Sequence, residues 1–249
     1  MNIYGFISES FQDDERGLTS VIFTPGCNFS CPACHAKKII EGKNSFDEKE
    51  IIELLERRAK QYELKRLTIS GGEPTLQKDL IDFLKKCKNI ELLVKLDTNG
   101  SNPEKLQELL EEKLVNYVAM DIKGPEGFYD ILAGRKVNIK EIEESIKLVQ
   151  KFPDYEFRTT IVPIIIEEKI NYELWKKEYI EDMAKWTIEL INKESKYFLQ
   201  SFQAREKGEI VDDRLSKEII DKDMEITPKE IMNSVYSVMI KYFPNTKIR

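Results

Sequence analysis

The stretch Leu18-Thr-Ser-Val-Ile-Phe-Thr24, Pro25-Gly26, Cys27-Asn28-Phe29-Ser30-Cys31-Pro32-Ala33-Cys34-His35 decides how this chain reads. An apolar, β-branched run is broken by Pro-Gly and followed at once by cysteines spaced C-x3-C-x2-C. Three of the four cysteines in 249 residues fall within eight positions. Thiolates crowded onto one short loop point to a metal. Three rather than four leave one coordination position open, and an open position is where metal chemistry happens.

Outward from this loop, the same grammar repeats: an apolar run, a polar or glycine break, then helical periodicity. Leu64 to Ser70 ends in Gly71-Gly72-Glu73-Pro74-Thr75, and Ile90 to Leu96 ends in Asp97-Thr98-Asn99-Gly100. Leu114 to Met120 ends in Asp121-Ile122-Lys123-Gly124-Pro125, and Tyr155 to Val162, which carries Arg158, closes at Pro163. A last strand is expected over Lys196 to Phe202. Between the strands, apolar positions at helical spacing predict helices over Phe46 to Tyr62 (started by Ser45), Gln77 to Lys88 and Pro103 to Lys113. Further helices are expected around Gly127 to Leu132, over Ile139 to Lys151, as one long helical stretch over 171–194 containing both tryptophans, and from Pro228 to Phe243.

Strands alternating with helices of this length imply right-handed βαβ units and a parallel sheet. About six such strands predict an α/β fold, a partial (β/α)6 TIM-like barrel of parallel strands with a C-terminal helical extension. A doubly wound sheet is the competing architecture. The expected division is a barrel over 1–205, with the cysteine loop at 26–35, and a loop and helix over 206–249 packed on the same domain.

In parallel α/β folds ligands bind at the C-terminal ends of the strands. The breaks should therefore bring the cysteines, Gly71, Gly72, Glu73, Asp97, Asp121 and Lys123 to one face. Each has a plain structural alternative: a tight βα turn for the glycines, helix capping or an Asx turn for Asp97 and Asn99, an exposed turn for Asp121 and Lys123. Arg158 alternates with Phe157 and points either inward or to solvent. The functional reading rests on their joint position.

Composition narrows the field. Hydrophobic residues are 41% and charged residues 34%, with a net charge of −6 from interspersed signs. No basic stripe argues for nucleic acid, and no apolar run reaches the roughly 18 residues of a membrane span. The N-terminus has no signal-peptide pattern. A cytoplasmic, reducing compartment is expected, where clustered cysteines read as metal-binding or catalytic. Cys87, inside a helical pattern, reads as a small core residue.

Two metals suit the loop. Zinc would use Cys27, Cys31, Cys34 and His35 as a closed structural site. The adjacency of Cys34 and His35, and the lack of a second cysteine pair, speak against it. A [4Fe–4S] cluster takes three thiolates directly and leaves one iron open.

Taken together, Phe23-Thr-Pro-Gly-Cys-Asn-Phe-Ser-Cys-Pro-Ala-Cys-His35, Leu67-Thr-Ile-Ser-Gly-Gly-Glu-Pro-Thr-Leu-Gln77, Val94-Lys-Leu-Asp-Thr-Asn-Gly-Ser-Asn-Pro103 and Tyr117-Val-Ala-Met-Asp-Ile-Lys123 resemble the radical S-adenosylmethionine (SAM) superfamily. Within it they look like the glycyl-radical-enzyme activases, above all the anaerobic ribonucleoside-triphosphate reductase activating proteins. The resemblance spans about residues 15 to 203.

It implies one [4Fe–4S] cluster on Cys27, Cys31 and Cys34. It also implies SAM contacts from Ala33, Cys34, His35, Gly71, Gly72, Glu73, Thr98, Asp121, Ile122, Lys123 and Arg158. A monovalent cation would sit by Asp97, Thr98, Ala119 and Asp121. The implied reaction is reductive cleavage of SAM to methionine and a 5′-deoxyadenosyl radical, which takes hydrogen from a glycine of a partner glycyl radical enzyme. A flavodoxin- or ferredoxin-type protein would supply the electron. The alternatives are a superfamily enzyme acting on a small molecule or peptide, and a zinc-binding module without catalysis. One departure stands out: Ala33 occupies a position that is usually aromatic in the superfamily.

Overall fold

The computed structural model describes residues 1–166, 169–203, 210–221 and 227–249. The chain opens with β1 (Gly5–Ser10) and β2 (Thr19–Thr24), followed by the cysteine loop and the short α1 (Lys37–Ile40). Then come α2 (Glu48–Tyr62), β3 (Arg66–Gly71), a 3-10 turn at Pro74–Leu76, α3 (Leu80–Asn89), β4 (Leu93–Thr98), α4 (Pro103–Glu111) and β5 (Tyr117–Asp121). A 3-10 turn at Glu126–Phe128 leads into α5 (Tyr129–Ala133), α6 (Ile139–Val149) and β6 (Tyr155–Ile161). The chain continues through β7 (Ile164–Ile166), β8 (Lys169–Asn171), a 3-10 turn at Glu173–Trp175, α7 (Lys177–Ile188) and β9 (Tyr197–Ser201). It ends with α8 (Asp213–Asp221), α9 (Lys229–Tyr242) and β10 (Thr246–Ile248).

Eight strands hydrogen-bond in the order β1-β2-β3-β4-β5-β6-β9-β10, and β7 pairs separately with β8. The pairs β2–β3, β3–β4, β6–β9 and β9–β10 are parallel, while β1 runs antiparallel to β2. The six strands expected from the apolar runs are β2 to β6 and β9, in chain order across the sheet. This is the α/β architecture the alternation predicts.

Local chemistry explains where the boundaries moved. Asp47, not Ser45, caps α2, its side chain accepting from the Glu50 N–H. A helix expected from Gln77 starts at Leu80, because Pro74–Leu76 first makes a 3-10 turn. Glu91 takes left-handed backbone (φ 57°) inside the apolar run Ile90 to Leu96, so β4 begins at Leu93; β5 begins at Tyr117, three residues into its run. The stretch 171–194 is not one long helix: a 3-10 turn holds Trp175 and α7 holds Trp186.

The chain forms two compact units, and the boundary falls inside the cysteine loop. The first unit comprises Met1–Asn28, Lys38–Ala119 and Leu148–Tyr155; the second comprises Phe29–Lys37, Met120–Lys147 and Glu156–Arg249. In the first, Val21, Ile22, Leu67, Ile69 and Leu96 from the strands are buried with Leu55, Phe83, Leu84 and Leu106 from the helices. Cys87 is fully buried there, and burial pushes its thiol pKa up. In the second unit, Phe157, Tyr197 and Leu199 are buried with Ile180, Met183, Val235 and Phe243. The Tyr197 and Phe243 rings stack at 5.3 Å.

Candidate functional site

In the first unit, the ends of β2, β3 and β4 meet. Gly71 and Gly72 lie against the backbone that leads to Cys27. A Cβ on Gly71 would stand 2.3 Å from the Thr24 nitrogen, and one on Gly72 would stand 1.8 Å from the Gly26 carbonyl oxygen. Gly71 also has φ +122°, a region L side chains rarely adopt. The two glycines thus let one strand end close on the next, and Gly72 N and Glu73 N donate to the carbonyls of Thr24 (2.9 Å) and Gly26 (2.8 Å).

Glu73 has no exposed surface. Its Oε1 accepts from Thr75 N (3.1 Å), Thr75 Oγ1 (2.6 Å) and Thr98 Oγ1 (2.9 Å), and its Oε2 from Asn99 N (2.7 Å). Burial raises its pKa, and these donors act the other way. Asn99 Nδ2 reaches Asn28 Oδ1 at 3.0 Å and the Cys27 sulfur at 3.9 Å. Asp97 faces Lys95, whose Nζ is 3.4 Å from Oδ1. Ala119, at the end of this unit, is buried.

In the second unit, Cys31 and Cys34 border a cavity of about 360 Å³. Ala33, His35, Asp121, Ile122 and Lys123 line it with them, as do Thr160, Gln200, Gln203 and Arg214. Asp121, at the end of β5, is gripped from two sides: Arg158 Nε donates to Oδ1 at 2.9 Å and Lys123 Nζ to Oδ2 at 3.1 Å. Burial pushes the Asp121 carboxyl up, but Arg158 and Lys123 outweigh it and hold the pKa at about 2. Lys123 is raised despite burial, chiefly by Asp121. Burial raises the Cys31 thiol, and Lys123 opposes that. Arg158 therefore points inward, its side chain 11% exposed.

The two carboxylates expected to need a cation, Asp97 and Asp121, each have a protein cation beside them. Among the described residues, no three His, Cys, Asp or Glu side chains already stand at metal-holding distances. Cysteine sulfurs beside a roomy cavity lined by Lys123 and by polar and apolar groups suit an iron–sulfur cluster with a nucleoside-sized ligand. His35 is exposed, as a closed Cys3His zinc site would not leave it.

Three features escaped the sequence reading. The backbone at 211–212 crosses the cysteine loop, Val211 N donating to the Cys34 carbonyl (2.9 Å) and Asp212 N to that of Pro32 (3.1 Å). Ala33 is buried with Phe202, Ile210 and Leu215. Gly134, at φ +68°, lies so close to the loop that a Cβ would stand 2.0 Å from the Ser30 carbonyl oxygen. The Asn99 contact had shown only as an Asx-turn signal. None of these has a local sequence signature, because each partner lies more than 70 residues away along the chain.

Comparison with known proteins agrees with this architecture. The family model described as "Radical SAM superfamily" matches residues 21–173. A protein of Methanocaldococcus jannaschii named "Putative glycyl-radical enzyme activating enzyme" is 32% identical, over 99% of this chain and 95% of its own length. A "Probable GTP 3′,8-cyclase" of Pyrococcus horikoshii is 26% identical over 62% of this chain and 49% of its own length. Among solved structures, Streptococcus suis SuiB bound to S-adenosylmethionine superposes with TM-score 0.59 at 15% identity, covering 92% of this chain and 51% of that one. A domain of pyruvate-formate lyase-activating enzyme from Bacteroides vulgatus gives TM-score 0.51 at 19% identity, covering 73% of this chain and 97% of that one. The fold is that of the partial TIM-like barrel enzymes, and the chain belongs to the radical SAM superfamily.

Proposed function

We propose that this chain is an activating enzyme for a glycyl radical enzyme, with an anaerobic ribonucleoside-triphosphate reductase as its partner. The observation that carries the reading is the 32% identity to a relative named as such an activase over almost the whole of both chains. The thiol-bordered cavity of the second unit supports it.

Cys27, Cys31 and Cys34 would hold one [4Fe–4S] cluster, which with bound SAM would supply one-electron reductive cleavage of the sulfonium and, through the 5′-deoxyadenosyl radical, removal of hydrogen from a glycine of the partner. The chain's own residues bind and orient. Lys123, kept protonated by Asp121, offers a cation to the methionyl carboxylate or the ribose. Arg158 holds Asp121 in place. Main chain around Ala33 to His35 meets the adenine, since Ala33 has no ring to stack. Gly71 and Gly72 fix the turn that carries Glu73. A flavodoxin- or ferredoxin-type protein delivers the electron. A monovalent cation beside Asp97 and Asp121 has less electrostatic need than the sequence suggested, given Lys95, Lys123 and Arg158.

The likeness to GTP 3′,8-cyclases favours one second reading, action on a small molecule. Anaerobic co-incubation with the reductase, reductant and SAM separates the two. The activase reading expects a glycyl radical signal by electron paramagnetic resonance (EPR) in the partner. Deoxyadenosine formed only when a small molecule is added would sink it.

A further inference from the structure

The amide of Asn99 faces the sulfur of Cys27 and is aimed by a network that leaves it little choice of orientation. Its backbone N–H donates to Glu73 Oε2 at 2.7 Å. Its side-chain Oδ1 accepts from Ser101 N at 2.9 Å, which identifies the other end of the amide as the nitrogen. That nitrogen has two hydrogens. One goes to Asn28 Oδ1 at 3.0 Å; the other is directed at Cys27 Sγ, 3.9 Å away, the long end for a sulfur acceptor. Asn28 is itself held by Ser101, Nδ2 donating to Oγ at 2.7 Å. Asn99 is 6% exposed, so water does not compete freely for the amide.

Glu73 is what sets this network. Both of its oxygens accept from protein donors: two of the four bonds come from Thr75, on its own turn, and two from Thr98 and Asn99 at the end of β4. The carboxylate ties the end of β4 to the glycine turn after β3, and with it the Asn99 backbone.

We propose that Asn99 donates a hydrogen bond to the Cys27 sulfur and thereby sets the reduction potential of the cluster this cysteine holds, with Glu73 as the positioning residue. The inference rests on the cluster reading above. An N–H aimed at a ligating thiolate draws electron density from the sulfur, so less is donated to iron and the reduced form is favoured. Removing the donor shifts the potential to more negative values.

The test is an EPR-monitored redox titration of the anaerobically reconstituted full chain, comparing wild type with Asn99→Leu and Asn99→Asp. Both variants remove the N–H; the second keeps the shape of the amide and the acceptor for Ser101. Because the bond is stronger to the more electron-rich sulfur of the reduced cluster, its loss should lower the reduced-to-oxidised ratio at a fixed potential roughly threefold to tenfold. That is about 30–60 mV for one electron. Glu73→Gln, which loses the acceptor for Asn99 N, should shift in the same direction by less. An unchanged midpoint in either loaded variant overturns the proposal. So does loss of cluster uptake by both variants while they stay folded, because a tuning contact does not decide whether the cluster forms. A wild-type chain that takes up no iron and sulfide overturns the cluster reading as well, so the two failures are told apart.

Discussion

Replacing Gly72 by Ala adds one methyl group where the structure has least room. The new Cβ would lie 1.8 Å from the Gly26 carbonyl oxygen and 2.5 Å from its carbon, where real Cβ contacts essentially never fall below 3.0 Å. The obstacle is backbone, so no side chain can swing aside. Gly72 itself does not have a positive φ, so the cost is space and not conformation. The glycine turn must retreat by more than an ångström from the loop that carries Cys27. That stretches two hydrogen bonds, Gly72 N to Thr24 O (2.9 Å) and Glu73 N to Gly26 O (2.8 Å). At about 1 kcal/mol each, with about 1–3 kcal/mol for overpacking, the loss is about 3–5 kcal/mol. Urea unfolding of the metal-free chain, with the m-value compared, measures it. Iron uptake on reconstitution should fall as well, because the displaced residue adjoins Cys27. Stability within about 0.5 kcal/mol of wild type, together with full iron uptake, would refute the reasoning.

Other substitutions follow from the same geometry. Ala33→Tyr, which restores the ring usual in the superfamily, puts a large side chain at a buried position packed with Phe202, Ile210 and Leu215; a loss of about 1–3 kcal/mol in urea unfolding is expected. Asp121 gives an acid dependence: its folded pKa, about 2, lies below the ordinary 3.8. Its contribution is therefore complete above about pH 4 and is lost as pH falls through 2, about 2 kcal/mol in all. The stability gap between wild type and Asp121→Asn should close over that window. Cys87→Ala should cost about 1–2 kcal/mol for a small cavity and leave iron content unchanged, whereas Cys31→Ser should lose the cluster.

The sequence showed the strands that carry the site because each is apolar throughout and breaks sharply. β2, with Val21 and Ile22 fully buried, and β3, with Leu67 and Ile69, are of this kind. The edges were invisible for the opposite reason. No residue of β1 is buried, and its antiparallel register, Phe6 opposite Ile22, is what makes it a strand. β10 has three residues, held by pairing with β9 and by Arg249 bonding Glu156 at 3.0 Å. The antiparallel pair β7–β8 and helix α8 also have no such signal.

In the site, Cys31, Cys34, Asp121 and Lys123 were legible because charged and thiol groups ending apolar runs are conspicuous. What was not legible is how those groups are satisfied. Arg158 gave no sign of its direction until Asp121 stood beside it. Glu73, which the resemblance names as a SAM contact, gave no sign that both its oxygens accept from Thr75, Thr98 and Asn99. Nor does the sequence show that Ala33 packs with Phe202, Ile210 and Leu215, all more than 160 residues further along the chain.

The most direct test of the central claim is anaerobic reconstitution of the full chain with iron and sulfide, followed by reductant and SAM. The account predicts a brown protein with about four irons per chain that releases methionine and 5′-deoxyadenosine. A colourless protein that binds one zinc tightly and leaves SAM intact would contradict it.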